Sequence, residues 1–216
     1  MENPLCPPAD AEFALIETML WTPGDGIAHR ARHMARLRRS ARALGIVPHG
    51  VDAALDGISG DSALRLRLRL TVDRAGRAAV TATAFQPQRP GTRWRVAFHP
   101  KRLDPADPWL RHKSTCRDLY DRARADLPPG IDEWIFLNTG GALCEGTITN
   151  LYVDTGDVLL TPPRACGVLP GIGREVLIAA GRSRPRRLTP QDITAGRAFY
   201  VGNALRGLIR ADLVSG

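Results

Sequence analysis

Residues 133–162 read EWIFLNTGGALCEGTITNLYVDTGDVLLTP, and this stretch predicts two consecutive β-hairpins. Its apolar and β-branched runs have the length of strands, and the segments TGG and DTGD supply the turn residues between them. Glu145 falls at a strand end between the two hairpins. Because a glutamate at a strand end is usually solvated, the pattern alone assigns it no special role.

A glycine-rich turn that leads into a helix follows in CGVLPGIGREVLIAAGR, residues 166–182. A helix N-terminus presents backbone N–H groups and the positive end of the helix dipole, and Gly171 and Gly173 permit the close approach of an anion. Most turns of this kind only reverse the chain. Further on, AFYVGNALRGL predicts a last strand that ends in a turn at Gly202-Asn203.

Upstream, the segment RHKSTCRDLYDRAR, residues 111–124, contains Lys113 in a chain whose basic residues are otherwise almost all arginine; the other lysine is Lys101. A lysine amine can form a Schiff base, more readily where burial lowers its pKa, although a lone lysine usually lies on the surface. A helix is predicted over residues 114–127, ended by the PPG that follows. The Pro- and Asp-rich residues 99–109 form the predicted linker to the first half.

The first half of the chain mixes helical and strand patterns, which predicts an α+β fold. Apolar residues recur at helical spacing from Met34 to Leu44, and Gly45 then ends an amphipathic helix within residues 28–46. A strand is predicted before this helix, and a short helix and three strands after it, in residues 13–21, 51–59, 63–73, 77–85 and 93–98.

The composition, with 44% hydrophobic and 24% charged residues among 216, is that of an ordinary globular protein. No apolar run is long enough to span a membrane, and the N-terminus lacks the pattern of a secretory signal, so we expect a cytoplasmic protein. The cysteines are widely spaced without a C-x-x-C pair, which predicts reduced thiols and no metal site; they are Cys6, Cys116, Cys144 and Cys166.

The formal net charge of +8 would suit a nucleic-acid-binding protein, which is the first rival hypothesis. The arginines are spread along the whole chain, however, and aromatic residues make up only 6%. In LRLRLRL, residues 64–70, the alternation directs leucines to a core and Arg65, Arg67 and Arg69 to solvent. We therefore expect small anionic ligands rather than nucleic acid.

Three features have a common use in pyridoxal phosphate chemistry. Lys113 offers an amine, the turn before the helix offers donors for a phosphate, and Glu145 offers a carboxylate for a pyridinium nitrogen. Over nearly its whole length the chain resembles the fold-type IV pyridoxal-phosphate enzymes, also called class IV aminotransferases. The pair EGTITN and LPGIGRE, at this spacing, is the most specific part of the resemblance.

The resemblance implies a two-domain fold that assembles as a homodimer. Residues 1–105 would form a small N-terminal α/β sandwich, and residues 106–216 a C-terminal antiparallel pseudo-barrel with helices. Two departures from the family pattern stand out. The chain begins late, keeping only Glu17-Thr18 of an initial GDG-x-F-E-T sequence, and Gly173 stands where threonine is common, so one hydroxyl contact to a phosphate would be missing.

The resemblance also implies roles for individual residues. Lys113 would hold the cofactor, Glu145 would contact its pyridine nitrogen, and Arg36 would contact its phosphate, although by pattern alone Arg36 is one of several solvated arginines. Backbone donors would complete the phosphate site at Ile172, Gly173, Asn203 and Ala204.

Other polar residues have two interpretations each. Thr18 either faces the cofactor as a second catalytic residue or is simply a β-former, and Arg206 either binds a substrate carboxylate or caps a helix. His112 is expected to shape the approach of Lys113 rather than transfer protons. His29 and His33 have metal-ligand spacing, but without a third ligand they are predicted to be polar helix-face residues, and no metal is expected here.

The family contains branched-chain and D-amino acid aminotransferases as well as 4-amino-4-deoxychorismate lyase. The segments LIET, HMARL, SARALGI and GNALRG are most similar to the lyase branch. This implies conversion of 4-amino-4-deoxychorismate to 4-aminobenzoate and pyruvate in folate biosynthesis. The alternative is a branched-chain or D-amino acid aminotransferase.

Overall fold

The computed structural model describes residues 12–58, 64–194 and 196–214, and within these ranges the chain groups into two compact units. The smaller unit contains the residues up to 87 together with 112–116, and the larger unit contains 88–111 and 117–214. The segment around Lys113 therefore belongs with the N-terminal elements. Cys6 and the rest of the N-terminal stretch lie outside the described residues, as do the predicted ends of one helix and one strand at 59 and 63.

The smaller unit is a four-stranded antiparallel sheet with two helices, in the strand order β2-β1-β3-β4. Its elements are β1 (Ala14–Thr22), β2 (Gly26–Ile27), α1 (Arg30–Ala43), α2 (Val51–Asp56), β3 (Leu66–Asp73) and β4 (Ala78–Ala84). These elements confirm the predicted strands and helices of this part of the chain, to which the structure adds the two-residue strand β2.

The alternation in β3 builds the core of this unit, as the sequence predicts. Leu68 and Leu70 are fully buried and share one apolar cluster with Met34 and Leu37 of α1. The arginines that alternate with the leucines of this stretch, Arg65, Arg67 and Arg69, are exposed. Strand geometry separates the two sets, because successive side chains point to opposite faces of a sheet.

The larger unit contains the remaining strands and helices. Its elements are β5 (Arg93–Phe98), α3 (Asp118–Ala125), β6 (Glu133–Leu137), β7 (Leu143–Gly146), β8 (Asn150–Asp154), β9 (Leu159–Thr161), α4 (Ile172–Ala179), β10 (Ser183–Pro185), α5 (Pro190–Thr194), β11 (Phe199–Asn203) and β12 (Gly207–Leu213). The two predicted hairpins are confirmed as β6–β7 and β8–β9. No helix in the described part of the chain is long and apolar enough to cross a membrane.

Six strands of this unit close into a ring in the order β8-β11-β12-β5-β6-β7, and the pairing of Glu145 with Asn150 returns β7 to β8. The predicted pseudo-barrel is therefore present, but it is mixed rather than purely antiparallel. The junctions β12–β5 and β5–β6 are parallel, and the other four are antiparallel. Parallel neighbours need a long connection, which residues 99–132 provide between β5 and β6.

The segment before α3 differs from the prediction. The helix expected over residues 114–127 begins only at Asp118. Ser114 bridges Leu15, and the Thr115 amide donates to the Ala14 carbonyl at 2.8 Å, so this stretch is extended along β1. Pairing with a strand 101 residues away overrides the local helical preference.

The last strands of the structure also differ from the prediction. Gly202 and Asn203 are the last residues of β11, and the turn lies after them, at 204–206. A further strand, β12, then pairs antiparallel with β11. Gly207 closes this turn with φ 72°, a conformation that favours glycine.

A buried carboxylate joins α1 to β1 in the smaller unit. Glu17, 1% exposed, accepts a hydrogen bond from Arg36 Nε at 2.8 Å and a second from Arg36 Nη2, while His33 Nδ1 lies 2.7 Å from its Oε2. His33 and Arg36 are themselves buried. The predictions of a solvated Arg36 and of His33 as a polar helix-face residue are therefore wrong, because a carboxylate in the core requires hydrogen-bond donors, which these two side chains provide.

The environment of Glu17 lowers its pKa. Burial alone raises the pKa of this carboxyl, but the charge of Arg36 and the hydrogen bonds from His33 and Arg36 outweigh burial. A carboxyl whose pKa is depressed in the folded state stabilises the protein above its ordinary pKa and loses that contribution as the pH falls.

We expect Glu17→Gln to lower the free energy of unfolding at neutral pH by roughly 3–5 kcal/mol, because it leaves the buried Arg36 without its counter-charge. The variant should also lose less stability than the wild type on acidification below about pH 5, since one depressed carboxyl no longer titrates. Urea denaturation at several pH values measures both effects.

The control is Asp52→Asn, which removes a 69% exposed carboxylate that pairs with Arg30 in the same unit. Such surface pairs contribute little, so this variant should follow the wild type at every pH. Equal effects of the two substitutions would contradict a special role of Glu17.

Candidate active site

The carboxylate of Glu145 is the centre of the candidate site in the larger unit. It lies on β7 and is only 6% exposed, so the interpretation as a solvated strand-end residue is wrong. Tyr120 Oη donates to its Oε1 at 2.9 Å, while the Leu169 amide at 2.9 Å and Asn150 Nδ2 at 3.3 Å donate to its Oε2. These three donors are neutral groups.

Asn150 connects Glu145 to the turn before α4. Its Nδ2 also donates to the Leu169 carbonyl at 3.2 Å, and a Cβ placed on Gly171 would lie 2.0 Å from its Oδ1. Only glycine at 171 allows this approach. The two motifs EGTITN and LPGIGRE are therefore in direct contact, with the carboxylate and the helix N-terminus on either side of one asparagine.

The start of α4 packs against the turn after β11. A Cβ on Gly173 would lie 3.0 Å from the Ala204 nitrogen and 3.1 Å from the Asn203 carbonyl carbon, which is tighter than ordinary contact. Glycine is thus the residue that fits here without a shift of the neighbouring backbone. The first N–H groups of a helix have no intrahelical acceptor, so Ile172 and Gly173 open a place for an anion beside this turn.

The Asn203 side chain shapes that turn. Its Oδ1 accepts the amides of Leu205 at 3.1 Å and Arg206 at 2.9 Å, and its Nδ2 donates to the Ile148 carbonyl at 3.0 Å. Arg206 lies in the turn between β11 and β12. Its two interpretations, binding of a substrate carboxylate and capping of a helix, stay predictions.

Glu133 is a second buried carboxylate of this unit, and the sequence analysis missed it. It is fully buried and accepts hydrogen bonds from the loop between β7 and β8, from the Thr147 amide and hydroxyl, the Ile148 amide and the Thr149 hydroxyl. It thereby fixes the loop that leads from Glu145 to Asn150. The sequence signal for its burial was its position two residues before Ile135, which puts both side chains on the same face of β6. A glutamate that faces the core requires hydrogen-bond donors.

Arg174, on α4, is a buried cation that the sequence analysis also missed. It is 3% exposed, and its Nη2 donates to the Pro162 carbonyl at 2.9 Å. Burial lowers the pKa of its guanidinium, although the charges of Tyr152 and Glu145 oppose this effect. Arg174 adds positive charge to the helix whose N-terminus is the candidate anion site.

In the smaller unit, the register of β1 sorts the predicted residues onto two faces. The Ile16 amide donates to the Lys113 carbonyl at 2.8 Å beside the Leu15–Ser114 bridge, so Lys113 lies on the face of Ile16 and Thr18. Glu17 points to the opposite face, where it binds Arg36. The register therefore puts Thr18 and Lys113 on one face of the strand, and the Glu17–Arg36 pair on the other.

The histidines near these residues have separate partners. His112 Nδ1 lies 3.0 Å from Ser40 Oγ of α1, a contact that anchors the segment next to Lys113. His29 precedes α1 in a left-handed conformation, with φ 56°. No group of three His, Cys, Asp or Glu side chains in the described ranges is arranged to hold a metal ion.

The larger unit combines features that suit one kind of ligand. An ionised carboxylate stabilised by neutral donors can accept a hydrogen bond from a protonated ring nitrogen. A helix N-terminus in a glycine-lined contact can bind a phosphate. Since Asn150 touches both features, the residues present fit a phosphorylated pyridine cofactor.

Comparison with known proteins gives the same direction. The family model for amino-transferase class IV matches residues 14–214. A solved structure from Mesorhizobium loti, whose name assigns it to amino-acid aminotransferases, has 39% sequence identity and a TM-score of 0.86, covering 94% of this chain and 100% of its own.

Two curated relatives match shorter stretches. Aminodeoxychorismate lyase of Saccharomyces cerevisiae is 29% identical over 136 residues, which are 54% of this chain and 36% of that protein. A Methanocaldococcus jannaschii protein, assigned by name to branched-chain-amino-acid aminotransferases, is 29% identical over 108 residues, which are 47% of this chain and 37% of that protein. The chain thus spans little more than a third of the length of these relatives.

The family model covers both units and includes Lys113, Glu145 and the turn before α4. The M. loti structure shares the fold over the full length of its chain. The protein therefore belongs to the class IV aminotransferase family.

Proposed function

We propose that the protein is a pyridoxal-phosphate-dependent enzyme in which Glu145 binds the ring nitrogen of the cofactor. The observation that carries this proposal is the buried carboxylate, held by neutral donors and joined by Asn150 to the turn before α4. A ligand with a protonated pyridine ring and a phosphate uses both features at once. Family membership supports the choice, because class IV aminotransferases depend on this cofactor.

The residues have distinct tasks in this proposal. Bound pyridoxal phosphate supplies an electron sink for the carbon that bears the substrate amine. Lys113 would hold the cofactor through its amine, and its Nζ would accept the proton from that carbon. Glu145 would keep the ring nitrogen protonated, and Thr18 would act as a second catalytic residue from the strand beside Lys113. Backbone N–H groups of Ile172, Gly173, Asn203 and Ala204 would hold the phosphate, and so would Arg36, whose Nε and Nη2 already bind Glu17.

For the reaction, we propose the lyase that converts 4-amino-4-deoxychorismate to 4-aminobenzoate and pyruvate. The match to the yeast lyase supports this choice. A proton leaves the ring carbon that bears the amine, and the C–O bond to the enolpyruvyl group breaks. The ring becomes aromatic and the released enol takes up a proton to give pyruvate, so the reaction balances without an oxidant or a second substrate.

The second candidate is an amino acid aminotransferase of the branched-chain or D-amino acid type. The M. loti structure favours it, since that chain has the higher identity over a longer match, and the M. jannaschii relative agrees. An aminotransferase needs an amino acceptor to complete its cycle. This requirement distinguishes the two candidates by experiment.

The role of Lys113 predicts a site of covalent labelling. Borohydride reduction of the protein loaded with pyridoxal phosphate should leave a pyridoxyl group on the tryptic peptide of residues 112–117, detected by mass spectrometry. Lys113→Ala should abolish the label and the visible absorbance of the bound cofactor, because no amine remains to bind the aldehyde. Lys101→Ala is the matched control and should label as the wild type does; a label on Lys101 would contradict the assignment.

The reaction itself is tested by turnover without an amino acceptor. The enzyme, supplied with chorismate, glutamine and an aminodeoxychorismate synthase, should release equal amounts of 4-aminobenzoate and pyruvate over many turnovers in the absence of any keto acid. Fluorescence of 4-aminobenzoate and a coupled pyruvate assay measure the two products.

A parallel reaction with leucine or D-alanine and 2-oxoglutarate serves as the comparison. Rapid glutamate formation there, with no 4-aminobenzoate in the first reaction, would reject the lyase in favour of the aminotransferase.

A further inference from the structure

The side chain of Tyr120 is held rigidly next to the candidate site. Tyr120 lies in the first turn of α3 and is 8% exposed. The edge of its ring contacts Phe136, with centroids 5.3 Å apart and an interplanar angle of 79°, and the guanidinium of Arg117 lies 5.7 Å from its ring centre. With its ring against these two groups, Tyr120 donates its hydroxyl proton to Glu145.

Tyr120 acts on Glu145 as a hydrogen-bond donor. Its Oη lies 2.9 Å from Oε1, and burial together with the charge of Glu145 raises the pKa of Tyr120 well above its ordinary value. The phenol therefore keeps its proton and remains a donor. A phenol that donates to a carboxylate stabilises the ionised form of the acid.

The donors divide between the two carboxylate oxygens. Oε2 accepts from the Leu169 amide and from Asn150, whereas Tyr120 acts on Oε1. With donors on both oxygens, the plane of the carboxylate is fixed. Removal of the phenol takes away a donor to Oε1, and the carboxylate is then less firmly oriented.

We propose that Tyr120 is a positioning residue that orients the ionised Glu145 carboxylate toward a cationic ring nitrogen and thereby sets the affinity of the protein for that nitrogen. This inference rests on the proposed function, because it takes a pyridinium ring as the ligand of Glu145. It adds a residue from α3, outside both motifs that point to the cofactor. Tyr120 touches neither the substrate nor the reacting atoms in this account, and it acts through Glu145.

The test compares two ligands on the full-length apoprotein. One is pyridoxal phosphate, and the other is its analogue with a C–H group in place of the ring nitrogen. The wild type should prefer pyridoxal phosphate, so the dissociation constant of the analogue divided by that of pyridoxal phosphate should exceed one. Tyr120→Phe should reduce this ratio by about tenfold, as expected for loss of a hydrogen bond to a charged group. The affinity for inorganic phosphate should not change.

Tyr200→Phe is the matched control, because it removes a hydroxyl from β11 of the same sheet. It should keep the ratio of the wild type. An unchanged ratio in Tyr120→Phe would overturn the inference, and so would an equal loss of affinity for both ligands, which indicates a purely structural role. A wild-type protein that does not bind pyridoxal phosphate would overturn the proposed function itself, and this inference with it.

A measurement on the wild type does not depend on how the variant folds. With tyrosines labelled with carbon-13 at Cζ, the chain gives three signals, and Tyr152→Phe and Tyr200→Phe identify that of Tyr120 by elimination. Pyridoxal phosphate should shift the Tyr120 signal more than the nitrogen-free analogue does, while inorganic phosphate should leave it in place. Equal shifts with both pyridoxal ligands would contradict a coupling through Glu145.

Discussion

A buried carboxylate needs hydrogen-bond donors, and the need of Glu145 for donors organises the candidate site. Three segments that are separate in sequence converge on it: Tyr120 from α3, Asn150 from β8 and Leu169 from the turn before α4. The same asparagine lies against Gly171, so the position of the carboxylate and the start of the helix are linked. An anion and a cation of one ligand can therefore be recognised by one rigid group of residues.

The other two carboxylates described above, Glu17 and Glu133, have structural roles that follow from their partners. Glu17 accepts hydrogen bonds from Arg36, lies 2.7 Å from His33 Nδ1 and joins α1 to β1. Glu133 accepts from backbone and hydroxyl groups, lies 3.6 Å from Arg124 Nη1 and fixes a loop. Glu145 accepts from Tyr120, Asn150 and the Leu169 amide, and Asn150 joins it to the turn before α4. This position beside the candidate anion site, rather than burial, distinguishes Glu145 as the proposed partner of a cationic ring.

The sequence predicted the features that depend on local patterns. Alternating leucines place β3, and the glycines before α4 mark its start, since both signals lie within a few residues. Contacts between distant segments could not be predicted in this way. Residues 114 and 115 pair with β1, about 100 positions earlier in the chain, so their helical pattern led to a wrong prediction. Glu17 binds Arg36 across 19 residues, and the many arginines around Arg36 concealed this contact. Only the resemblance to a known family, and not periodicity, distinguished Arg36 from the other arginines of its helix.

The most direct test of the account is the protonation state of the cofactor nitrogen. Pyridoxal phosphate labelled with nitrogen-15 in its ring, bound to the wild-type protein, should give the chemical shift of a protonated pyridinium throughout the neutral and mildly alkaline range. In Glu145→Gln the signal should move to that of an unprotonated ring, because the neutral amide no longer stabilises the cation. The same unprotonated signal in both proteins would contradict the assignment of Glu145.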